Sequence, residues 1–225
     1  MNERILEIII SSFTKILLPG LTVTIPLTIL AFSFAIIIGT AIALIRFANI
    51  KILKDLCRFY VWIIRGTPLL VQLYVVFYGF PKIGIVWNPF VCAVVVFALN
   101  EGAYCSETIR GSLQAIPIGQ IEAGYCVGMS YLQIMFRIVL PQALRSAVPA
   151  LMNSLIGMVK DTSLAANITV AEMFMTTQRI VARTYEPLVL YIEVAMVYLL
   201  FSTILTYVQQ IVEKKLNAQV GQKND

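Results

Sequence analysis

The chain has 225 residues, 59% of them hydrophobic and only 13% charged, with a mean hydropathy of +0.85. A soluble domain is roughly half apolar and a quarter charged, so this surplus has no place in a water-facing fold and calls for a hydrocarbon solvent. The net charge of +5 comes from basic residues set singly between apolar runs, which fits membrane topology rather than nucleic acid, and the absence of His removes the usual metal ligand and general base.

In chain order, residues 1–15 carry Glu3, Arg4 and Glu7 inside an apolar stretch. They lack the basic-then-apolar order of a cleaved signal and read as an amphipathic lead-in helix. Apolar segments long enough to span a bilayer follow at 21–45, 60–80, 90–109, 144–159 and 188–212, giving an all-α polytopic protein of one domain with about five spans. Arg46, Lys51, Lys54 and Arg58 crowd the first connection, and Lys214, Lys215 and Lys223 follow the last span. The positive-inside rule then puts the C-terminus in the cytoplasm and the N-terminus outside. Pro68 should kink the second span, and the connection 81–89 is turn-like with Pro81, Gly84, Asn88 and Pro89. Arg65, just before that proline, reads as an anchor facing the cytoplasm.

The loop 110–143 reads as two short helices. Pro117 suits a first helical turn, Gly128 suits the left-handed residue that closes a helix, and Ser130 with Gln133 has capping-box spacing. Leu140-Pro141 marks where the second helix ends or bends before the next span. The segment 161–187 repeats the capping signature at Thr169 and Glu172, followed by Met173, Phe174, Thr177, Ile180 and Val181 at helical spacing. On the fourth span, Asn153-Ser154, Gly157-Met158 and Asp161 recur at one-turn intervals, and Thr162 and Ser163 add hydroxyls. Asp161 is the candidate partner for an α-ammonium group.

Four cysteines, Cys57, Cys92, Cys105 and Cys126, form no Cys-x-x-Cys pair. Cys92 and Cys105 would lie about 20 Å apart on one helix, beyond disulfide reach, so all four read as packing residues. Glu101, Cys105 and Glu107 share that helix, and the carboxylates read as polar bundle contacts rather than as an intramembrane active site.

Glu122-Ala123-Gly124, then Gly128, then Ile138-Val139-Leu140-Pro141 resembles the EAA loop of type I ATP-binding-cassette importer permeases. The family pattern is Glu-Ala-Ala, three residues, Gly, nine residues, Ile-x-Leu-Pro, and this chain departs from it only at Gly124, which should loosen the helix slightly. The resemblance implies that Glu122, Ala123, Gly124, Gly128, Leu140 and Pro141 couple the chain to a separate ATPase subunit. It implies two copies of that subunit carrying ATP and Mg, an extracytoplasmic solute-binding protein, pairing with itself or a paralogue, a bacterial cytoplasmic membrane, and no catalysis or cofactor in this chain.

Arg65-Gly66-Thr67-Pro68-Leu69-Leu70-Val71-Gln72 and Lys160-Asp161-Thr162-Ser163-Leu164 resemble the polar amino acid branch of these permeases. That resemblance assigns the strip of Asn153, Ser154, Gly157, Met158, Asp161, Thr162 and Ser163 to the solute's head group. Cationic-solute homologues carry an acid seven positions before the aspartate. Ser154 stands there, which implies a neutral or zwitterionic solute. Arg58-Phe59-Tyr60, Phe77-Tyr78-Gly79 and Ala182-Arg183-Thr184 resemble L-cystine permeases, with Phe77 and Tyr78 flanking the cavity. An ion-coupled secondary transporter is the alternative, but five spans without an inverted repeat fit it poorly.

Overall fold

The computed structural model describes residues 3–48 and 51–221, and every element among them is helical. Met1, where the lead-in helix was placed, and Lys223, used for orientation, lie outside the described residues. Helix α1 (Glu3–Pro19) does not stop before the first span. It passes through a π turn, Gly20–Thr24, into α2 (Ile25–Phe47). The run Glu3–Phe47 has 45 residues, about 68 Å of helix against a hydrocarbon core of roughly 30 Å. The lead-in and the span are therefore one continuous helix.

Next come α3 (Lys51–Gly66), α4 (Leu69–Tyr74) with its π turn Val75–Gly79 and a 3-10 turn to Ile83, and α5 (Pro89–Gln114). Pro68 does more than kink its span. It adopts an extended backbone, φ −65° and ψ 137°, and separates α3 from α4. Gln72 closes the break, donating from Nε2 to the Thr67 carbonyl at 3.1 Å and to its Oγ1 at 2.8 Å. Then follow α6 (Ile118–Cys126), α7 (Tyr131–Ile134), the π turn Met135–Val139, α8 (Leu140–Asp161), the 3-10 stretch Thr162–Ile168, α9 (Met173–Thr184) and α10 (Pro187–Gly221). Four runs are long and apolar enough to cross a membrane, or five if the broken pair α3–α4 makes one span.

Proline explains the π turns. Gly20–Thr24, Val75–Gly79 and Met135–Val139 each end two residues before a proline: Pro26, Pro81 and Pro141. A proline ring collides with the carbonyl four residues back and offers no N–H. Widening the preceding turn removes the collision without breaking the helix. At Pro141, where the second loop helix was expected to end or bend, it does not end, because Tyr131–Ile168 is one helical run. Pro149 also stands inside α8, with no π turn before it.

The chain divides into two units. One comprises the described residues of Met1–Ser33, Thr67–Ala98 and Leu155–Tyr207. Leu27, Leu73, Phe97, Met158 and Ile168 are buried in one core of this unit, and Ile16, Val159, Met173, Val197 and Phe201 in another. Gly20 allows close packing there, since a Cβ at that position would lie 2.7 Å from both Met173 Sδ and Phe201 Cε2. Ser12 Oγ donates to Glu193 Oε2 at 2.6 Å and ties α1 to α10.

The other unit comprises the described residues of Phe34–Gly66, Leu99–Ser154 and Val208–Asp225. Gly39 on α2 meets Cys105 and Gly102 on α5, each glycine leaving no room for a side chain. Arg46 donates to Glu107, which also takes the Arg110 guanidinium at 2.5 Å. One carboxylate thus holds two cations and pins the end of α2 to α5. This gives the expected bundle contact at Glu107 specific partners.

Candidate functional site: a capped elbow and a polar helix face

The elbow is built from local signals. Pro117 sits one residue before α6, as its N-cap, and its carbonyl accepts from the Gln120 N–H at 3.0 Å. At the other end the Gly128 N–H reaches the Tyr125 carbonyl at 2.9 Å and the Met129 N–H reaches the Gly124 carbonyl at 3.0 Å. This Schellman pair requires a left-handed residue, and Gly128 has φ +78°. Two residues on, Ser130 and Gln133 form the expected capping box: Ser130 N–H donates to Gln133 Oε1 at 2.8 Å, and Ser130 Oγ accepts from Gln133 N–H at 3.4 Å.

Gly124 supplies the close contact that joins the two helices. A Cβ there would lie 2.8 Å from Ile134 Cγ1 and 3.0 Å from its Cδ1. Ile134 is buried, so the glycine tightens the elbow where a loosening was expected. Gln142 Nε2 adds a hydrogen bond to Gln120 Oε1 at 2.6 Å. The outer surface of α6 and its turn presents Glu122, Ala123 and Cys126 together with exposed Ile118, Tyr125 and Val127. A stiff knob with apolar side chains around one carboxylate suits docking to a protein partner. Leu140 and Pro141 lie on the helical run behind it, at the exit of the π turn.

The polar strip falls on α8 and the stretch after it. Asn153, Gly157 and Asp161 are four residues apart and share one face. Asn153 and Asp161 are exposed, and no heavy atom lies within 4 Å of where a Gly157 Cβ would be. Asn153 Oδ1 accepts from Gln209 Nε2 at 3.1 Å. Ser154 is half-buried beside it, and Ser163 Oγ donates to the Lys160 carbonyl at 2.7 Å. Met158 and Thr162 are turned away from this face. Met158 is buried in the core, and Thr162, fully buried, donates its hydroxyl to the Val159 carbonyl at 2.6 Å. Phe77 and Tyr78 stand on the π turn before Pro81 with rings edge-to-face at 4.9 Å. Phe77 packs on the core, while Tyr78 is exposed.

The expected capping box at Thr169 is overturned. Thr169 has φ +66° and ends the preceding 3-10 stretch, its N–H bonded to the Ala166 carbonyl and that of Val170 to the Ala165 carbonyl. A residue already closing one helix in the left-handed conformation cannot open the next. Glu172 opens it instead, accepting the Phe174 N–H at 2.8 Å, the Met175 N–H at 2.7 Å and the Tyr198 hydroxyl at 2.7 Å. Burial pushes the Glu172 carboxyl above its usual 4.5, against the lowering effect of those three donors.

Sequence reasoning also missed the contact between Arg65 and Tyr104. The Arg65 guanidinium, exposed in the last turn of α3, lies 5.1 Å from the ring centroid of Tyr104. Tyr104 is ten residues before the end of α5, about 15 Å along the helix. Neither the Arg46–Glu107 pair nor this contact has a local signature, because the partners are far apart in sequence.

Comparison with known proteins gives the class of this helical chain and its capped elbow: a transporter permease. Residues 35–218 match the family described as "Binding-protein-dependent transport system inner membrane component", and the chain belongs to that family. It is 45% identical over 216 residues to the L-cystine transport system permease protein TcyB of Bacillus subtilis, covering 96% of this chain and 92% of that protein. The nopaline transport system permease protein NocM of Agrobacterium fabrum is 36% identical, with 96% and 95% covered. A chain from the crystal structure of an amino acid ABC transporter with histidines superposes with a TM-score of 0.87 at 32% identity, over 96% of this chain and all of the other. A chain of the MetNI methionine ABC transporter in an inward-facing conformation gives 0.77 at 18% identity and supports the fold alone. The fold is that of type I ABC importer permeases.

Proposed function

We propose that this chain is the membrane subunit of an ATP-driven importer for a neutral or zwitterionic polar amino acid, with L-cystine the first candidate. The observation that carries the reading is the 45% identity to an L-cystine permease along nearly the whole of both chains. Ser154, in place of a carboxylate, supports a solute without net positive charge, since a cationic side chain would lose its counter-charge in a low-dielectric site.

The Glu122–Gly128 elbow faces the cytoplasm and docks on one of two ATPase subunits, where ATP and Mg are bound. The C-terminus lies on that side and the N-terminus outside. Two permease chains pair, and an external binding protein delivers solute. Closure of the ATPase pair pushes on the elbow, and the spans swing to expose the solute site to alternate sides. Asp161 receives the α-ammonium group, with Asn153, Ser154, Gly157 and Ser163 lining the same helix and Tyr78 at the cavity edge. Met158, Thr162 and Phe77 hold that wall in place from behind.

The test is uptake of radiolabelled L-cystine by the chain reconstituted with its ATPase and binding protein. ATP-dependent uptake that survives collapse of ion gradients supports the reading. Uptake that needs an ion gradient and not ATP refutes it.

A further inference from the structure

Helix α10 has two exposed stripes of different chemistry. Ile192, Met196, Leu200 and Ile204 follow one another at four-residue steps, all exposed, large and apolar, as suits a face that meets acyl chains. The stripe beside it opens on a groove of about 510 Å³ within the first unit. Tyr191, Ala195, Tyr198 and Ser202 line it from α10, and Lys160 and Ser163 line it from the end of α8 and the 3-10 stretch. Small side chains and hydroxyls on an outward face mark contacts between helices in a membrane.

Two polar groups in this groove lack partners. Ser202 Oγ is buried with no hydrogen-bond partner among the described residues. It stands fifteen residues into α10, about 22 Å along the helix, where an acyl chain offers nothing to a hydroxyl and another protein helix can. Lys160 is exposed and forms no ion pair among the described residues. Its neighbour Asp161 is likewise exposed and in no ion pair, because successive side chains on a helix diverge by about 100°. A cation and an anion set side by side without partners are self-complementary across a two-fold axis, where each residue of one copy meets the other residue of the second.

We infer that a second copy of this chain packs into the groove and sets Lys160 of each copy beside the partner's Asp161. This rests on the pairing of two permease chains in the proposed function and names the face that pairs. A carboxylate has two oxygens. Asp161 takes the partner's Lys160 with one and keeps the other for the solute's ammonium group, so the solute site is complete only in the pair.

The test is thiol cross-linking in the assembled complex in membranes, without solute or ATP. Cys57→Ser and Cys126→Ser first remove the thiols that are not buried. In that background Ala195→Cys, treated with a short membrane-permeant bifunctional thiol reagent, gives a linked pair of permease chains. Met196→Cys, one residue round the helix on the lipid stripe, gives little or none. Lys160→Asp and Asp161→Lys, each added to Ala195→Cys, place like charges together and cut the linked fraction about tenfold, and the double exchange restores it. Linking through Met196→Cys as strong as through Ala195→Cys, or through neither, overturns the inference. So does a linked product that holds this chain only once, or a double exchange that stays as low as the single variants. If the charge variants do not insert, the comparison of Ala195→Cys with Met196→Cys decides alone. A complex that links as expected but does not import L-cystine refutes the import reading and leaves this inference standing. One that imports L-cystine but does not link through Ala195→Cys refutes this inference alone.

Discussion

Gly124 and Ile134 pack so closely that a single methyl group on the glycine would lie 2.8 Å from Ile134 Cγ1. Helix propensity favours alanine over glycine by about 1 kcal/mol, yet overpacking against a buried side chain costs about 1–3 kcal/mol. Gly124→Ala is therefore expected to lower thermal stability in detergent. In an Ile134→Ala background, where the obstacle is gone, the same substitution should stabilise. A change of sign across the double-mutant cycle confirms that the contact, and not flexibility, accounts for the glycine.

Gly128 closes α6 with φ +78°. A β-branched residue there meets about 1–2 kcal/mol of backbone strain and loosens the Schellman pair. Gly128→Val should cut uptake about tenfold while ATP hydrolysis by the assembled complex continues, a loss of coupling rather than of binding. Parallel uptake and ATPase assays on the same vesicles read the ratio.

Thr169 and Tyr185 hold positive φ angles of 66° and 60° without being glycine. Both are exposed, so little packing is lost by truncation. Thr169→Gly and Tyr185→Gly should each raise stability by about 0.5–1 kcal/mol, while Thr169→Ala should give no gain. Thermal melts of the three variants provide the check.

Glu172 caps α9 with two backbone donors and the Tyr198 hydroxyl. Glutamine turns one acceptor into a donor facing an N–H, so Glu172→Gln should cost about 1–3 kcal/mol, and Tyr198→Phe less. The pH dependence has a defined sign. The folded carboxyl titrates above its usual 4.5, so its protonated form favours folding. That contribution is complete below the ordinary carboxylate range and fades as pH rises through the folded value. The gap between wild type and Glu172→Gln should narrow with rising pH in melts across the acid range.

What the sequence made legible was local chemistry. Gly128 and the Ser130–Gln133 pair could be placed because a cap is decided by residues within one turn of it. Pro141 was harder, since the residue types around it do not announce the wider turn that lets the helix continue. Thr169 misled because Thr-x-x-Glu is a capping signature only when the threonine is free to be extended, and here the preceding 3-10 stretch claims it. Arg46 with Glu107 and Arg65 with Tyr104 were out of reach altogether, because such pairs are set by how the helices pack. On α8 the spacing gave the shared face of Asn153, Gly157 and Asp161, but not that Thr162 spends its hydroxyl on its own helix.

The central claim is that the elbow after α5 is where an ATPase subunit docks, and Cys126, free and exposed on α6, allows it to be tested in place. A photoactivatable maleimide attached to Cys126, in a variant with Cys57→Ser, should join this chain covalently to the ATPase subunit when the complex is illuminated. Adducts with lipid or with the external binding protein, and none with the ATPase, would contradict the account.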